Sequence, residues 1–302
     1  MYNKQKVKEI VINYLITDVC DYHCKHCFTD IDFDGKPNYM GHSVEDHCNL
    51  IKRLYDFFQP DNPNNPLGNR LDYSQIRLNV TGGEPLLVPN IDLIFAFASK
   101  IGFNPSIITN ANNLSEDMVL RIGPHLRQLG ISLYACTRES QIEFGAVTRH
   151  NKYASLDNVR ERVAMIRKVN PNIRVKINTI ITKFNYNDDF TQIIEDLNPE
   201  KWTLIKPLEF YNREMGVSFE DFNAFTDRYK EKFKHCLTIE LGDSFVEAFI
   251  MVLPDGRFFS CEVTDDTGNN TYSQKFDDIG MEKAFYEVFV NYRKYQDHLY
   301  IM

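Results

Sequence analysis

The sequence predicts an α/β fold built from parallel strand–helix units. Strand-like and helix-like segments alternate along the chain, which is the pattern of parallel βα units. The strand-like runs are rich in Ile, Val and Leu, as expected of strands covered by helices. In addition, polar motifs directly follow several strand ends, where parallel sheets bind their ligands. Six strands are predicted, over about 7–17, 74–81, 105–109, 130–135, 173–181 and 201–208.

The helices between these strands have recognisable starts. Serine is a favoured N-cap residue. Four serines precede amphipathic runs, namely Ser43, Ser115, Ser155 and Ser218. Asp188 or Asp189 is predicted to open a further helix that ends near Leu197. Three prolines and four asparagines within residues 59–70 predict a surface loop instead of regular structure.

The pattern changes beyond Leu208. The segments Phe245–Leu253 and Arg257–Val263 flank Pro254-Asp255-Gly256, which is typical of an antiparallel hairpin. A closing helical segment is predicted around Phe285.

Composition limits the possible functions. The chain has 302 residues with a formal net charge of −8, which argues against general binding of nucleic acid or of anionic membranes. No run of 18 apolar residues is present, and the first residues lack the apolar stretch of a secretory signal. Seven cysteines, three of them clustered, indicate a reducing compartment. We therefore expect a cytoplasmic protein with neither nucleic-acid nor membrane partners.

Three cysteines near the N-terminus form the most informative motif. Cys20, Cys24 and Cys27 have the spacing C-x3-C-x2-C, with no fourth cysteine nearby. A 4Fe–4S cubane needs one thiolate per iron, so three ligands leave one iron open to a small molecule. A structural zinc site requires four ligands, and His23 or His26 would supply the fourth. The residues alone leave both alternatives open.

A second motif follows the second predicted strand. The stretch Thr81-Gly82-Gly83-Glu84-Pro85 places two glycines where the backbone must approach another group closely. The glutamate carboxylate can accept hydrogen bonds from an ammonium group.

The two motifs together resemble the radical S-adenosylmethionine (SAM) superfamily. In that superfamily the open iron binds the amino and carboxylate groups of SAM, and Gly-Gly-Glu-Pro binds its amino group. The resemblance implies an α/β partial (β/α)6 radical-SAM barrel with a short C-terminal extension. The barrel is predicted over residues 1–210, and residues 211–302 are predicted to cover its mouth within the same structural unit.

Longer segments resemble viperin, a family within this superfamily. They are Asn13-Tyr14, Val175–Asn185, Leu197–Trp202, Arg257–Cys261 and Asp278–Gly280. The resemblance implies an antiviral, anti-phage dehydratase. Such an enzyme converts a nucleoside triphosphate (CTP, UTP, GTP or ATP) to its 3′-deoxy-3′,4′-didehydro analogue. A 5′-deoxyadenosyl radical removes hydrogen from C4′, and the 3′-hydroxyl leaves as water.

The resemblance also implies roles for particular residues. Catalytic ligands of the cluster are Cys20, Cys24 and Cys27. Residues expected to bind SAM are Gly82, Gly83, Glu84, Asn110, Ser132 and Arg149. Residues expected to bind the nucleotide are Asn13, Arg77, Lys176, Asn178, Lys201 and Lys206. The expected electron donor is a flavodoxin or a ferredoxin. The chain departs from the family at Thr203, where relatives have lysine, and at Asp255, where they have tyrosine.

Strand alternation supports part of the nucleotide site. Lys176 and Asn178 are two residues apart and share one side of a strand, as do Arg77 and Asn79. A cation that points into a barrel is costly unless an anion meets it. The structural alternative for each cation is a solvated strand edge or an ion pair within the protein.

Two other functions remain open at this point. One is a different radical SAM enzyme that acts on a peptide or on another nucleotide-like substrate. Peptide-modifying relatives carry additional C-terminal cysteine clusters, whereas this chain has only Cys236 and Cys261 there. The other is a non-catalytic scaffold that holds a metal through cysteine and histidine.

Overall fold

The structure is a computed structural model that describes residues 4–27, 41–207, 215–244, 246–264, 267–288 and 290–301. These residues form two compact units. The first contains the described residues of 4–19, 41–107 and 246–301, and the second contains those of 20–27 and 108–244. The predicted division of the chain at residue 210 stays a prediction.

The first unit contains parallel strands with an antiparallel edge. Its strands are β1 (Gln5–Lys6), β2 (Glu9–Thr17), β3 (Leu71–Asp72), β4 (Gln75–Gly82), β5 (Asn104–Thr109), β10 (Ile250–Leu253), β11 (Arg257–Thr264) and β12 (Thr267–Tyr272). Of β5, the residues up to Ile107 belong to this unit. Strands β10, β2, β4 and β5 are neighbours and run parallel. Strand β11 pairs antiparallel with β10 and with β12, so the predicted hairpin is confirmed.

Helices cover the apolar residues of this unit. They are α1 (Val44–Phe57), α2 (Ile91–Ile101), α8 (Phe276–Ile279), α9 (Met281–Tyr286) and α10 (Tyr292–Ile301). Ser43 caps α1 as predicted, because its hydroxyl accepts from the backbone N–H of Asp46 and the Asp46 carboxylate accepts in return. The buried core includes Ile10, Ile12, Leu54 and Leu78.

The second unit is a run of four parallel strands. They are β6 (Gln128–Ser132), β7 (Arg174–Ile180), β8 (Lys201–Lys206) and β9 (Leu237–Leu241), and they are neighbours in that order. Its helices are α3 (Glu116–Ile122), α4 (Arg138–Phe144), α5 (Leu156–Val169), α6 (Thr191–Leu197) and α7 (Phe219–Lys230). Caps at Ser115, Ser155 and Ser218 are confirmed by bonds from backbone N–H groups to their hydroxyls.

Two predicted boundaries are corrected, and a third cannot be compared. Strand β6 spans Gln128–Ser132 instead of the predicted 130–135. The prediction missed the start of the strand because Gln128 is polar, although the structure buries it. Helix α6 has Phe190 at its N-cap, although the Asp189 carboxylate accepts from the N–H of Thr191. Residue 208, the predicted end of the sixth strand, lies outside the described residues.

The loop over 59–70 belongs to the first unit, and its residues 65–68 are buried, so its prediction as a surface loop is wrong in part. Leu67 is fully buried, and so is the amide of Asn65. The Asn65 side chain donates to the carbonyl of Gln59, which satisfies a backbone acceptor that regular structure would otherwise satisfy. Among the described helices, none is both long and apolar enough to cross a membrane.

Candidate active site

The three cysteines of the motif lie on the loop that follows β2. Each is half-buried, and a turn closes the loop where the N–H of Cys27 donates to the carbonyl of Cys24 at 3.1 Å. Burial raises the pKa of the Cys24 thiol well above its usual range, and the charges of Cys27 and Cys20 raise it further. The three thiols therefore lie close enough to influence one another.

The C-terminal end of helix α4 is hydrogen-bonded to this loop. The backbone N–H of Lys25 donates to the carbonyl of Phe144, and that of His23 donates to the carbonyl of Gly145. The Phe144 ring is fully buried and stacks on Tyr134 with their centroids 4.8 Å apart. Aromatic side chains and backbone hydrogen bonds thus hold the loop in place.

His26 belongs to the same aromatic packing. Its ring makes edge contacts with Tyr134 and Phe144, at centroid distances of 5.0 and 4.4 Å. Burial lowers the pKa of His26 to about 3, so the ring is neutral at physiological pH. In the part of the chain that the structure describes, no three His, Cys, Asp or Glu side chains converge as ligands of a single ion. The aromatic contacts give His26 a packing role.

An acidic residue that sequence reasoning missed fixes the other side of the loop. The Asp21 carboxylate accepts from the side-chain amides of Asn110, Asn112 and Asn113, at 2.8, 2.7 and 2.8 Å. The predicted SAM contact Asn110 also lies next to the first cysteine, with its amide 3.9 Å from the Cys20 Sγ. The Asn-Ala-Asn-Asn run after β5 was the available signal for this network.

The two glycines of the second motif are required by the end of β2. The N–H of Gly83 donates to the carbonyl of Thr17, and the N–H of Glu84 donates to that of Val19, at 2.7 and 2.8 Å. A Cβ on Gly82 would lie 2.2 Å from the Thr17 oxygen, and one on Gly83 would lie 2.2 Å from the Val19 oxygen. Gly82 also has a φ of +123°, which L side chains rarely adopt.

Glu84 already has one structural function. Its side chain is 1% exposed, and its Oε1 accepts from the N–H of Leu86 at 3.0 Å, capping the short helix Pro85–Leu87. Its predicted contact with the SAM amino group stays a prediction.

The remaining predicted SAM contacts lie in the second unit. Ser132 ends β6, and its side chain hydrogen-bonds to Tyr134, whose pKa burial raises far above its usual range. Arg149 is exposed in the turn that the N–H of Asn151 closes on Thr148. Neither predicted role is tested by these positions.

Strands β6, β7 and β8 carry a polar face, which we define as Ser132, Lys176, Asn178, Lys201 and Thr203. Lys176 and Asn178 are half-buried and alternate with fully buried residues of β7, so their shared side is confirmed. Lys176 is in register with Lys201, and Asn178 is in register with both Ser132 and Thr203. Five polar side chains thus project from one side of three neighbouring strands.

Two atoms of the polar face lack hydrogen-bond partners among the described residues. They are the Oδ1 of Asn178 and the Oγ1 of Thr203, and both are buried. Buried polar atoms are nearly always hydrogen-bonded in folded proteins, so each exception requires an explanation. A ligand group or an ordered water that donates to the one atom and meets the other would satisfy both.

The two predicted lysines of β8 have different positions. The Lys201 Nζ lies 3.4 Å from the Glu240 carboxylate, and both side chains are buried. Lys206 is five residues further on and therefore lies on the other side of the strand, where its Nζ sits 4.3 Å from the centroid of the Phe219 ring. Lys201 belongs to the polar face, and Lys206 does not.

The predicted nucleotide contacts of the first unit have protein partners. The Arg77 guanidinium is 1% exposed and lies 3.6 Å from the Glu9 carboxylate. Asn13 accepts from the amide of Asn79 at 2.8 Å, and Asn79 accepts from the Ser106 hydroxyl at 2.9 Å. The ion pair of Arg77 with Glu9 matches the structural alternative considered for the predicted cations.

Comparison with known proteins identifies the family. The profile of the Radical SAM superfamily matches residues 14–197. An S-adenosylmethionine-dependent nucleotide dehydratase of Pseudoalteromonas ulvae is 32% identical over 280 residues, covering 92% of this chain and 89% of that protein. The protein of that name from Psychrobacter lutiphocae is 28% identical and covers 98% and 97% of the two chains. One from a Thermoplasmatales archaeon is 25% identical and covers 82% and 81%.

Solved structures share the fold. The protein anSMEcpe with bound AdoMet aligns with a TM-score of 0.62 at 13% identity, covering 96% of this chain and 82% of that chain. Streptococcus suis SuiB bound to precursor peptide SuiA also gives 0.62 at 13% identity and covers 93% of this chain, which spans 65% of the length of SuiB. At these identities the likeness shows the fold alone, and it confirms the predicted fold class.

The donor set fits the cofactors of this superfamily, a 4Fe–4S cluster and SAM. Three thiols lie on one loop, and a cubane distributes such ligands over three of its irons. The chain is therefore an enzyme of the radical SAM superfamily and belongs to its family of S-adenosylmethionine-dependent nucleotide dehydratases.

Proposed function

We propose that this enzyme converts a nucleoside triphosphate to its 3′-deoxy-3′,4′-didehydro analogue. The names of its relatives support a nucleotide as the substrate. The observation that carries the proposal is the polar face, where Lys176 shares one side of the strands with Asn178 and Thr203, two residues with buried atoms that lack partners among the described residues. A cation next to unfilled hydrogen-bonding positions suits a ligand that combines phosphates with a sugar.

The cluster loop and its surroundings would hold the cofactors. We propose that the loop cysteines bind the cluster, and that SAM is bound by the remaining predicted residues, which are Gly82, Gly83, Glu84, Asn110, Ser132 and Arg149. When bound, these cofactors supply the one-electron chemistry that removes a hydrogen atom from the sugar. The protein positions the substrate and excludes water.

The substrate contacts fall into two groups. Lys176, Asn178 and Lys201 lie on the polar face, although Lys201 also pairs with Glu240. Arg77 and Lys206 lie off the polar face, where they contact Glu9 and Phe219, so we rank them behind Lys176 as phosphate ligands. Asn13 is proposed as a polar contact, but its carbonyl oxygen already accepts from the protein.

Further parts of the proposal concern the setting of the reaction. We propose a flavodoxin or a ferredoxin as the electron donor, a cytoplasmic location, and a role of the product as an antiviral chain terminator in defence against phage. The resemblance to viperin supports the electron donor and the antiviral role, and the clustered cysteines support the cytoplasmic location.

A panel of nucleotides tests the proposal. Anaerobic, reduced enzyme with SAM is incubated with CTP, UTP, GTP or ATP, and the products are measured by mass spectrometry. Loss of the C4′ hydrogen and the 3′-hydroxyl removes one water, so at least one nucleotide should yield a product lighter by one water. 5′-Deoxyadenosine should form far faster with that nucleotide than without it. If all four leave the background rate unchanged, the proposal fails.

A further inference from the structure

Thr203 is the least explained side chain of the polar face. It is 0% exposed, and no described residue bonds to its Oγ1. Its neighbours Trp202 and Leu204 are also fully buried, so this stretch of β8 is covered on both sides. A valine would fill the same space without a buried hydroxyl that lacks a partner. The hydroxyl therefore requires a reason other than packing.

Asn178 has the complementary deficiency on the adjacent strand. It is in register with Thr203, and its Oδ1 is buried without a donor among the described residues. One ligand group that donates to the amide oxygen and also meets the threonine hydroxyl would satisfy both atoms.

The chemistry of the pair selects the ligand group. With the Asn178 amide oriented as in this structure, a phosphate oxygen, which only accepts, would leave the Asn178 Oδ1 unsatisfied. A sugar hydroxyl can donate to that oxygen and accept from the Thr203 hydroxyl at the same time. The nearest cation of β7, Lys176, lies two residues earlier, about 7 Å along the strand. A nucleotide can span such a distance between its sugar and its phosphates.

We infer that Thr203 and Asn178 together bind one ribose hydroxyl of the nucleotide, so that Thr203 determines specificity for the sugar. This inference rests on the proposed function and extends it to the identity of the sugar. The shared chemistry of the 2′- and 3′-hydroxyls fits the pair equally, and binding of the two deoxy analogues distinguishes them.

The experiment pairs a protein change with a ligand change. Affinity is measured with wild-type holoenzyme and with Thr203→Val, without reductant so that no turnover occurs. The ligands are the best-bound of CTP, UTP, GTP and ATP, and its 2′-deoxy and 3′-deoxy analogues. We expect one analogue to bind wild type about tenfold more weakly than the parent nucleotide. Thr203→Val should bind the parent about tenfold more weakly and lose nothing further with that analogue.

Stability gives an independent readout and a matched control. Thr203→Val should melt at or above the wild-type temperature, because it removes an unpaired buried hydroxyl. Thr179→Val lies on the neighbouring strand, where the Thr179 hydroxyl accepts from the Trp202 indole at 3.0 Å. That variant should melt lower while keeping the wild-type discrimination between the sugars.

The outcomes separate the inference from the proposed function. If wild type binds none of the four triphosphates, the proposed function fails and the inference fails with it. If wild type binds a triphosphate and binds both of its deoxy analogues as tightly as the parent nucleotide, the inference alone is overturned. It is also overturned if Thr203→Val retains the discrimination of the wild type.

Discussion

Each unit of the molecule carries a row of three polar side chains across parallel strands. The first polar row is Asn13, Asn79 and Ser106, and the second polar row is Ser132, Asn178 and Thr203. The first row is closed, since its members bond to one another and the Asn13 amide donates to the carbonyl of Ile250 at 3.4 Å. The second row leaves two buried atoms unpaired among the described residues.

The difference separates structural polarity from functional polarity. The two rows have similar composition, and within each row the members lie on neighbouring parallel strands. Residue type therefore does not distinguish the rows. A closed network stabilises the strands that carry it, whereas an open row costs stability that a bound ligand or an ordered water restores. The second row is therefore where a substrate should bind, and the predictions below are designed to test this assignment.

The largest effect should follow the loss of a cluster ligand. Turnover of any substrate bound at the second row requires the cluster. Cys24→Ala should remove the visible iron–sulfur absorbance and abolish 5′-deoxyadenosine formation, because the cluster loses one of three thiolates. Cys48→Ala, a half-buried cysteine on α1, should keep both properties. Iron analysis of the two anaerobic proteins decides the matter. Retention of the cluster in Cys24→Ala would remove this loop from the site.

Arg77→Met tests the assignment of charge in the first unit. The substitution removes the cation that faces the Glu9 carboxylate, and breaking a buried ion pair costs about 3–5 kcal/mol. Denaturant unfolding should therefore show a large loss of stability. Because Arg77 ranks behind Lys176 as a phosphate ligand, the nucleotide affinity of the folded variant should fall by less than tenfold. A tenfold weaker affinity at unchanged stability would instead make Arg77 a phosphate ligand.

Asn79→Ala tests the closed row itself. It deprives the Asn13 oxygen of its donor and Ser106 of its acceptor, which should cost about 1–3 kcal/mol. Nucleotide affinity should be unchanged. Thr203→Val in the second row should give the opposite result, with unchanged or higher stability and weaker binding. Equal behaviour of the two variants would break the comparison.

Asp21→Ala should give a smaller effect on cofactor retention. It removes the acceptor of three asparagine amides and frees one side of the cysteine loop. We expect faster iron loss to a chelator, with Asp21→Asn intermediate because its carbonyl oxygen still accepts. If Asp21→Ala loses iron at the wild-type rate, the asparagine network has no part in holding the loop.

The sequence predicted the parts of the molecule that depend on local rules. Runs rich in Ile, Val and Leu located β2, β4 and β5 to within about two residues, and serine caps located four helix starts. The side shared by Lys176 and Asn178 also followed from strand alternation alone. Alternation could equally have separated Lys201 from Lys206, since five residues place them on opposite sides.

Features that depend on tertiary contacts could not be predicted. The asparagines that bind Asp21 lie about ninety residues further along the chain. The pairing of Arg77 with Glu9 depends on the register between β4 and β2. Thr203 stood out in the sequence only as a departure from the family, and its unpaired hydroxyl became visible once its neighbours were known.

The nucleotide affinity of Lys176→Ala tests most directly whether the polar face is the substrate site. Charge-assisted contacts to phosphate contribute about 1.5–3 kcal/mol, so the dissociation constant should rise about tenfold or more while cluster content stays intact. Lys168→Ala, which removes an exposed lysine of α5, should bind as wild type does. An unchanged dissociation constant in Lys176→Ala would contradict the account and return that lysine to a purely structural role.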